Sequence, residues 1–248
     1  MTLPFDLGLA GAVYMGLALL VAAFVRGYSG FGFSALVISA SALVMNPLNI
    51  VPVVLVCEFL MTFQQWAQVR RDVDWARVRA LIGGAVIGLP AGLWVVNRVS
   101  VDAARGAIAG YVLVMCVVLM QGWRIRRRQG GGAHLGMGVL AGAANAVGMA
   151  GLPVASYFTA QGMAAGAFRA TLIAYFCILD AITAPLMWWH GMVTWDTAWG
   201  VVLSLPVIGV GIWAGGRHFL ATDPQDFRRM AIGLLGVLAV LGLAKALW

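Results

Sequence analysis

A chain of 248 residues that is 62% hydrophobic and only 10% charged, with a mean hydropathy of +0.93, reads as a polytopic helical membrane protein. In lipid the backbone has to satisfy its own polar groups, and the roughly ten-residue alternating segments of an outer-membrane barrel are missing, which leaves helices as the spanning element. The net charge of +7 does not point to nucleic acid, because the arginines sit in short loops between apolar runs and no basic domain interleaved with aromatics is present.

The N-terminal MTLPFDLGLA carries no basic segment ahead of the first apolar run, so that run is read as a retained helix rather than a cleaved leader. Apolar runs then follow at Leu7–Val25, Ser34–Met45, Ile50–Val69, Ala76–Val96 and Ala103–Trp123. After RIRRRQGGGAH they resume at Leu135–Val147, Pro153–Ala160, Phe168–Trp189, Trp195–Gly215 and Phe227–Leu247. At 1.5 Å per residue most can cross a core of about 30 Å, but Ser34–Met45 and Pro153–Ala160 are half-length. Each half-length run follows a glycine-rich break, and the two occupy the same place in the two halves. The expected fold is therefore all-α, with about eight full transmembrane helices plus short broken or re-entrant ones, up to ten apolar segments in all. Its units are a first repeat at 1–123, a basic cytoplasmic linker at 124–134 and a second repeat at 135–248.

The breaks align. RGYSGFGFSALVIS against NAVGMAGLPVASYF pairs Arg26 with Asn145 and Gly32 with Gly151, and an intramembrane acid follows in each half, Glu58 and then Asp180. Arginine bias orients the copies: Arg70, Arg71, Arg77 and Arg79 mark one loop, Arg124, Arg126, Arg127 and Arg128 a second, and Arg217, Arg228 and Arg229 a third, all predicted cytoplasmic. Counting back places the N-terminus outside, while the second half starts in the cytoplasm. Two similar halves that begin on opposite faces form an inverted repeat, an architecture that offers two mirrored access states.

Pro153 fits the first turn of a helix, and Ser34 is placed to N-cap the corresponding segment of the first half. Both short segments would then aim helix N-termini into the interior, where free N–H groups and a partial positive charge favour an anion. Gly30, Gly32, Gly148 and Gly151 would let an oxyanion approach the backbone, with Ser29, Ser34 and Asn145 as side-chain donors. Arg26 would add charge and two-point geometry suited to a sulfonate, sulfite or carboxylate. The glycines have a plainer reading as helix-packing residues, and Arg26, about 28 Å along a straight first helix, has one as a residue snorkelling at the cytoplasmic surface. Arg169 and Thr171, in AFRATLIAYF, divide in the same way between ligands and, respectively, a surface anchor and a local carbonyl cap.

Glu58 lies about 12 Å and Asp180 about 18 Å into their spans, near the middle in both cases. An acid there costs about 2.5–3.5 kcal/mol on insertion scales, so each should face a cavity, pair with a cation or carry a proton, and a proton-coupling role is the functional reading. Gln64 and Gln65 close the same span as Glu58 and fit either a polar path or the interface. Trp66, Trp75, Trp94, Trp123, Trp188, Trp189 and Trp195 cluster at span ends as an aromatic belt. Cys57, Cys116 and Cys177 are scattered without a CxxC pair and read as small buried hydrophobes, so no metal and no cofactor is expected.

The stretches VRGYSGFGFSALVISASALVMNP and AGAANAVGMAGLPVASYFTAQG, followed by FRATLIAYF, resemble the TauE/SafE family of sulfite and organosulfonate exporters. The resemblance implies a bacterial inner-membrane permease, multi-pass in the lipid bilayer, for small sulfur-containing anions, with no nucleic-acid partner; a homodimer is left open. The chain departs from the family pattern where Gly32 is followed by Phe33 and Ser34, Gly151 by Leu152 and Pro153, and Thr171 by Leu172. An enzyme is not expected: His134, His190 and His218 sit at loops or span ends, GYSGFG is not GxSxG, and neither HExxH nor a dinucleotide fingerprint occurs. A passive anion channel and a non-transporting scaffold are the rival membrane functions.

Overall fold

The computed structural model describes residues 4–121, 125 and 129–219. A 3-10 turn at Pro4–Asp6 leads into nine α-helices among the described residues: α1 (Leu9–Ser29), α2 (Phe33–Ser41), α3 (Pro47–Val69), α4 (Trp75–Val96), α5 (Val101–Gln121), α6 (Gly131–Asn145), α7 (Gly151–Ala160), α8 (Ala165–Trp189) and α9 (Trp195–Phe219). Helices α1, α3, α4, α5, α8 and α9 are long and apolar enough to span a bilayer, so the chain is a multi-pass membrane protein.

The two half-length segments are present as α2, with 9 residues, and α7, with 10. The next departure is α6. It starts at Gly131, inside the stretch expected as linker, and its 15 residues reach only about 22 Å, too short for the full crossing expected of Leu135–Val147. The Phe227–Leu247 run, Trp123 and the arginines at 124, 126–128, 228 and 229 lie outside the described residues.

Local chemistry sets the helix ends. Asn46 caps α3 by accepting from the Leu48 N–H at 3.0 Å, with Pro47 in the first turn, and Asp74 caps α4 by accepting from the Arg77 N–H at 3.1 Å. The first break needs glycine: Gly30 (φ 82°) closes α1 by donating to the Arg26 carbonyl at 2.8 Å, and Gly32 (φ 93°) opens α2. The second break turns at Gly148 (φ 69°), directly against Ile38 of α2 and Val51 of α3.

Helix α1 lies along α9 and α4 along α6, while α3 packs on α8. Both outer pairs are glycine contacts: a Cβ on Gly84, Gly88 or Gly92 would run into the α6 carbonyls of Leu135, Val139 and Ala143, and one on Gly215 into the carbonyl of Phe24. Without a hydrophobic drive between helices in lipid, such backbone approach is a main source of association. The innermost long helices are α3 and α8, each 61% buried over its apolar window against 28–39% for the other spans. With the buried half-helices α2 and α7 they form the core, which places both acids and both breaks inside it. Trp75, Trp94, Trp188, Trp189 and Trp195 are exposed on the outer surface, as an aromatic belt requires.

Candidate functional site

The first break places one guanidinium in the core. Arg26 is fully buried, so its depth along α1 does not bring it to the surface, and Nη1 donates to Glu58 Oε1 of α3 at 2.7 Å. Its Nε and Nη2 are buried without a hydrogen-bond partner among the described residues, and the guanidinium lies 5.6 Å from the ring centroid of Phe176 on α8. The same Phe176 ring comes within 3.5 Å of where a Gly151 Cβ would stand. One side chain of α8 therefore touches both breaks, and α2 and α7 meet beside it.

Ser34 does not cap α2. The cap position belongs to Gly32, whose backbone is left-handed, and Ser34 lies inside the first turn with its backbone N–H directed at the Glu58 carboxylate. The reason is geometric: a left-handed N-cap carries no side chain, so the helix N-terminus is satisfied from another helix. Glu58 thus receives a full positive charge from Arg26 and an amide hydrogen from the start of α2, the two features of an anion site, supplied here to the protein's own carboxylate.

Asp180, on α8, is 1% exposed, and both its oxygens lack a hydrogen-bond partner among the described residues. It lies within electrostatic reach of Glu58 and Arg26. The Asn145 amide is beside it, but its Nδ2 donates to Thr183 Oγ1 at 2.9 Å instead of reaching the carboxyl in hydrogen-bonding geometry. Asn145 ends α6, and Arg26 lies in the last turn of α1.

The remaining expected residues divide. Arg169 is buried rather than a surface anchor: Nη2 donates to the Gly27 carbonyl at 2.9 Å, a cation on the electronegative end of α1, and its stem covers Gly30. Ser29 Oγ is bonded to the carbonyls of Val25 (2.8 Å) and Phe31 (2.9 Å), so it braces the break instead of facing a ligand. Thr171 Oγ1 accepts from the Asp74 N–H at 3.0 Å, which ties α8 to the loop before α4, about 13 Å along the helix from Asp180. Gly27 packs directly against the backbone of Ile212 in α9, whereas Gly30, Gly32 and Gly148 form the turns.

Two participants were not anticipated, Phe176 and Thr183, nor was the cavity that Gln65 shares with Arg169. Phe176 and Thr183 stand four residues before and three after Asp180, on one face of α8, and that spacing was a usable signal. Gln65 and Arg169 both line a cavity of about 610 Å³ at the end of α3, with Gln64, Gln68, Asp72 and Arg217 among its polar residues and Val69, Ile212 and Trp213 among its apolar ones. Elsewhere His134 is bonded to Tyr157 (3.0 Å) and His190 to Asn97 (3.1 Å), no disulfide joins the three cysteines, and no cluster of three His, Cys, Asp or Glu occurs among the described residues.

Two broken-helix segments beside a buried guanidinium and two buried acids, carried on six apolar spans among the described residues, define a polytopic membrane protein with charged groups in its core. A family model described as "Sulfite exporter TauE/SafE" matches residues 15–242, nearly the whole chain, and the chain belongs to that family of membrane transporters. No curated protein and no solved structure matches it significantly.

Proposed function

We propose that the protein is a secondary carrier of small sulfur-containing anions such as sulfonates or sulfite, working as an exporter by alternating access of two inverted halves, 1–123 and 135–248. The observation that carries this reading is the Arg26–Glu58 pair at the start of α2, because the carboxylate holds the donors that an arriving oxyanion would use. The α1–α9 and α4–α6 packing supports two halves that rock about α3 and α8. The arginines at 70, 71, 77 and 79 support a cytoplasmic loop between α3 and α4 in a bacterial inner membrane, with the N-terminus outside.

Charge balance gives the coupling. Arg26 and Arg169, close enough to act on one another, carry two positive charges, and the acids Glu58 and Asp180 two negative ones when both are ionised. A monovalent anion entering this water-poor core leaves one negative charge in excess, and a proton taken by either acid restores neutrality. When Glu58 is the acid protonated, it also gives Arg26 and the α2 amide to the guest. The loaded carrier then moves an anion and a proton together, and flux follows the two concentration gradients without a membrane-potential term.

Reconstitution in liposomes with sulfite, sulfoacetate, an aromatic sulfonate, sulfate and a simple carboxylate tests the proposal. Saturable flux of one sulfur anion, accelerated by the same anion on the far side and lost in Arg26→Ala, is the expected result. Flux without exchange stimulation marks a channel, and no binding or flux of any anion marks a scaffold; either overturns the carrier reading.

A further inference from the structure

The cavity at the end of α3 has features that the central chamber does not explain. Gln65 is 2% exposed and borders a space of about 610 Å³, and its Nε2 and Oε1 are buried just behind the wall of that space without a hydrogen-bond partner among the described residues. A buried amide left unbonded costs stability, and leucine in its place would remove that cost. Arg169, itself buried, lines the same cavity, and Gln64, Gln68 and Arg217 stand around the mouth. Among the described lining residues Asp72 is the one acid, against the two guanidiniums of Arg169 and Arg217, which leaves that lining net positive. Amide and guanidinium donors in a positive, open cavity suit an oxyanion.

Position gives this site a task. Glu58, Thr62 and Gln65 recur at i, i+4 and i+7 along α3, all buried, so one polar stripe leads from the cavity about 10 Å up the helix to the Arg26–Glu58 pair. We propose that this cavity is a second anion site, an antechamber on the side of the Arg70–Arg71 loop, where Gln65 and Arg169 hold the sulfonate or sulfite head group before it reaches the core. The assignment rests on the carrier reading above for its substrate class, and on Gln65 for its place.

The test uses a single reporter thiol at the mouth, Gln68→Cys, in a chain carrying Cys57→Ala, Cys116→Ala and Cys177→Ala. Its rate of modification is measured with a sulfonate-bearing and a trimethylammonium-bearing methanethiosulfonate, each relative to its rate with a small thiol in solution. The anionic reagent should react about tenfold faster on this scale, and benzenesulfonate should protect the thiol. Gln65→Leu should fold at least as stably as the parent and weaken that protection about tenfold, the value of one hydrogen bond to a charged group. Protection that persists in Arg26→Ala shows that the antechamber binds on its own. A faster cationic reagent, or no protection by benzenesulfonate, overturns the antechamber; so does protection lost in folded Arg26→Ala, which reduces it to the central site. Protection in a protein that transports no sulfur anion upholds the antechamber and sinks the carrier reading alone.

Discussion

Glu58→Gln separates a carboxylate that stands in for the guest from one that merely braces the fold. The residue is 3% exposed and its carboxylate is bonded to a fully buried guanidinium at 2.7 Å, so removing its charge leaves Arg26 uncompensated in the core. Losing one partner of a buried pair costs about 3–5 kcal/mol, and because glutamine keeps an oxygen for Arg26 and the Ser34 amide, a loss near 3 kcal/mol is expected. Anion affinity should move the other way. In the wild type the guest has to take Arg26 from a carboxylate, a competition worth about one charge-assisted hydrogen bond of 1.5–3 kcal/mol, or roughly tenfold to hundredfold in Kd. Equilibrium binding of a radiolabelled sulfonate to purified protein between about pH 5 and pH 8 is the assay. The wild type should bind more weakly as pH rises, by up to about tenfold per unit where binding takes up one proton, whereas Glu58→Gln should bind more tightly at neutral pH with a flat profile. The added sulfonate should also restore part of the variant's lost thermal stability. A folded Glu58→Gln that binds more weakly than wild type at every pH, or a wild type indifferent to pH, would refute the competition.

Asp180→Asn should abolish the response of flux to a pH gradient while flux down a substrate gradient continues; intact pH-driven flux in both Asp180→Asn and Glu58→Gln ends the coupling proposal. Gly88→Ala drives a Cβ into the Val139 carbonyl and should lower stability by about 1–3 kcal/mol or more in a thermal unfolding assay, whereas Gly83→Ala, with open space at its Cβ, should be neutral. Gly148→Ala and Gly32→Ala each put a side chain on a left-handed backbone (φ 69° and 93°), so both should destabilise in the same assay, whereas Gly16→Ala, without positive φ and with open space at its Cβ, should not. Thr171→Val leaves the Asp74 N–H without its acceptor and should cost about 1–3 kcal/mol with the half-saturating substrate concentration unchanged; a raised value would return Thr171 to the site.

The sequence by itself determined the class of protein and the location of its breaks. Apolar runs long enough for a bilayer permit only helices, and glycines at 30, 32 and 148 next to short apolar segments mark places where the backbone must turn. Glu58 and Asp180 were legible because an acid in the middle of such a run has no ordinary reason to be there. Only the tertiary structure decided what these residues face. Depth counted along one helix left Arg26 between core and surface, and it is α3 and α8, distant in sequence, that enclose it. Ser29 and Thr171 had the right chemistry for ligands, yet their hydroxyls meet backbone groups, and Ser34 turns its amide N–H to Glu58, because a polar group's partner depends on which element packs alongside. The cavity at Gln65 was invisible for the same reason: it exists only where the ends of α3, α8 and α9 converge, and no pattern within one helix records that.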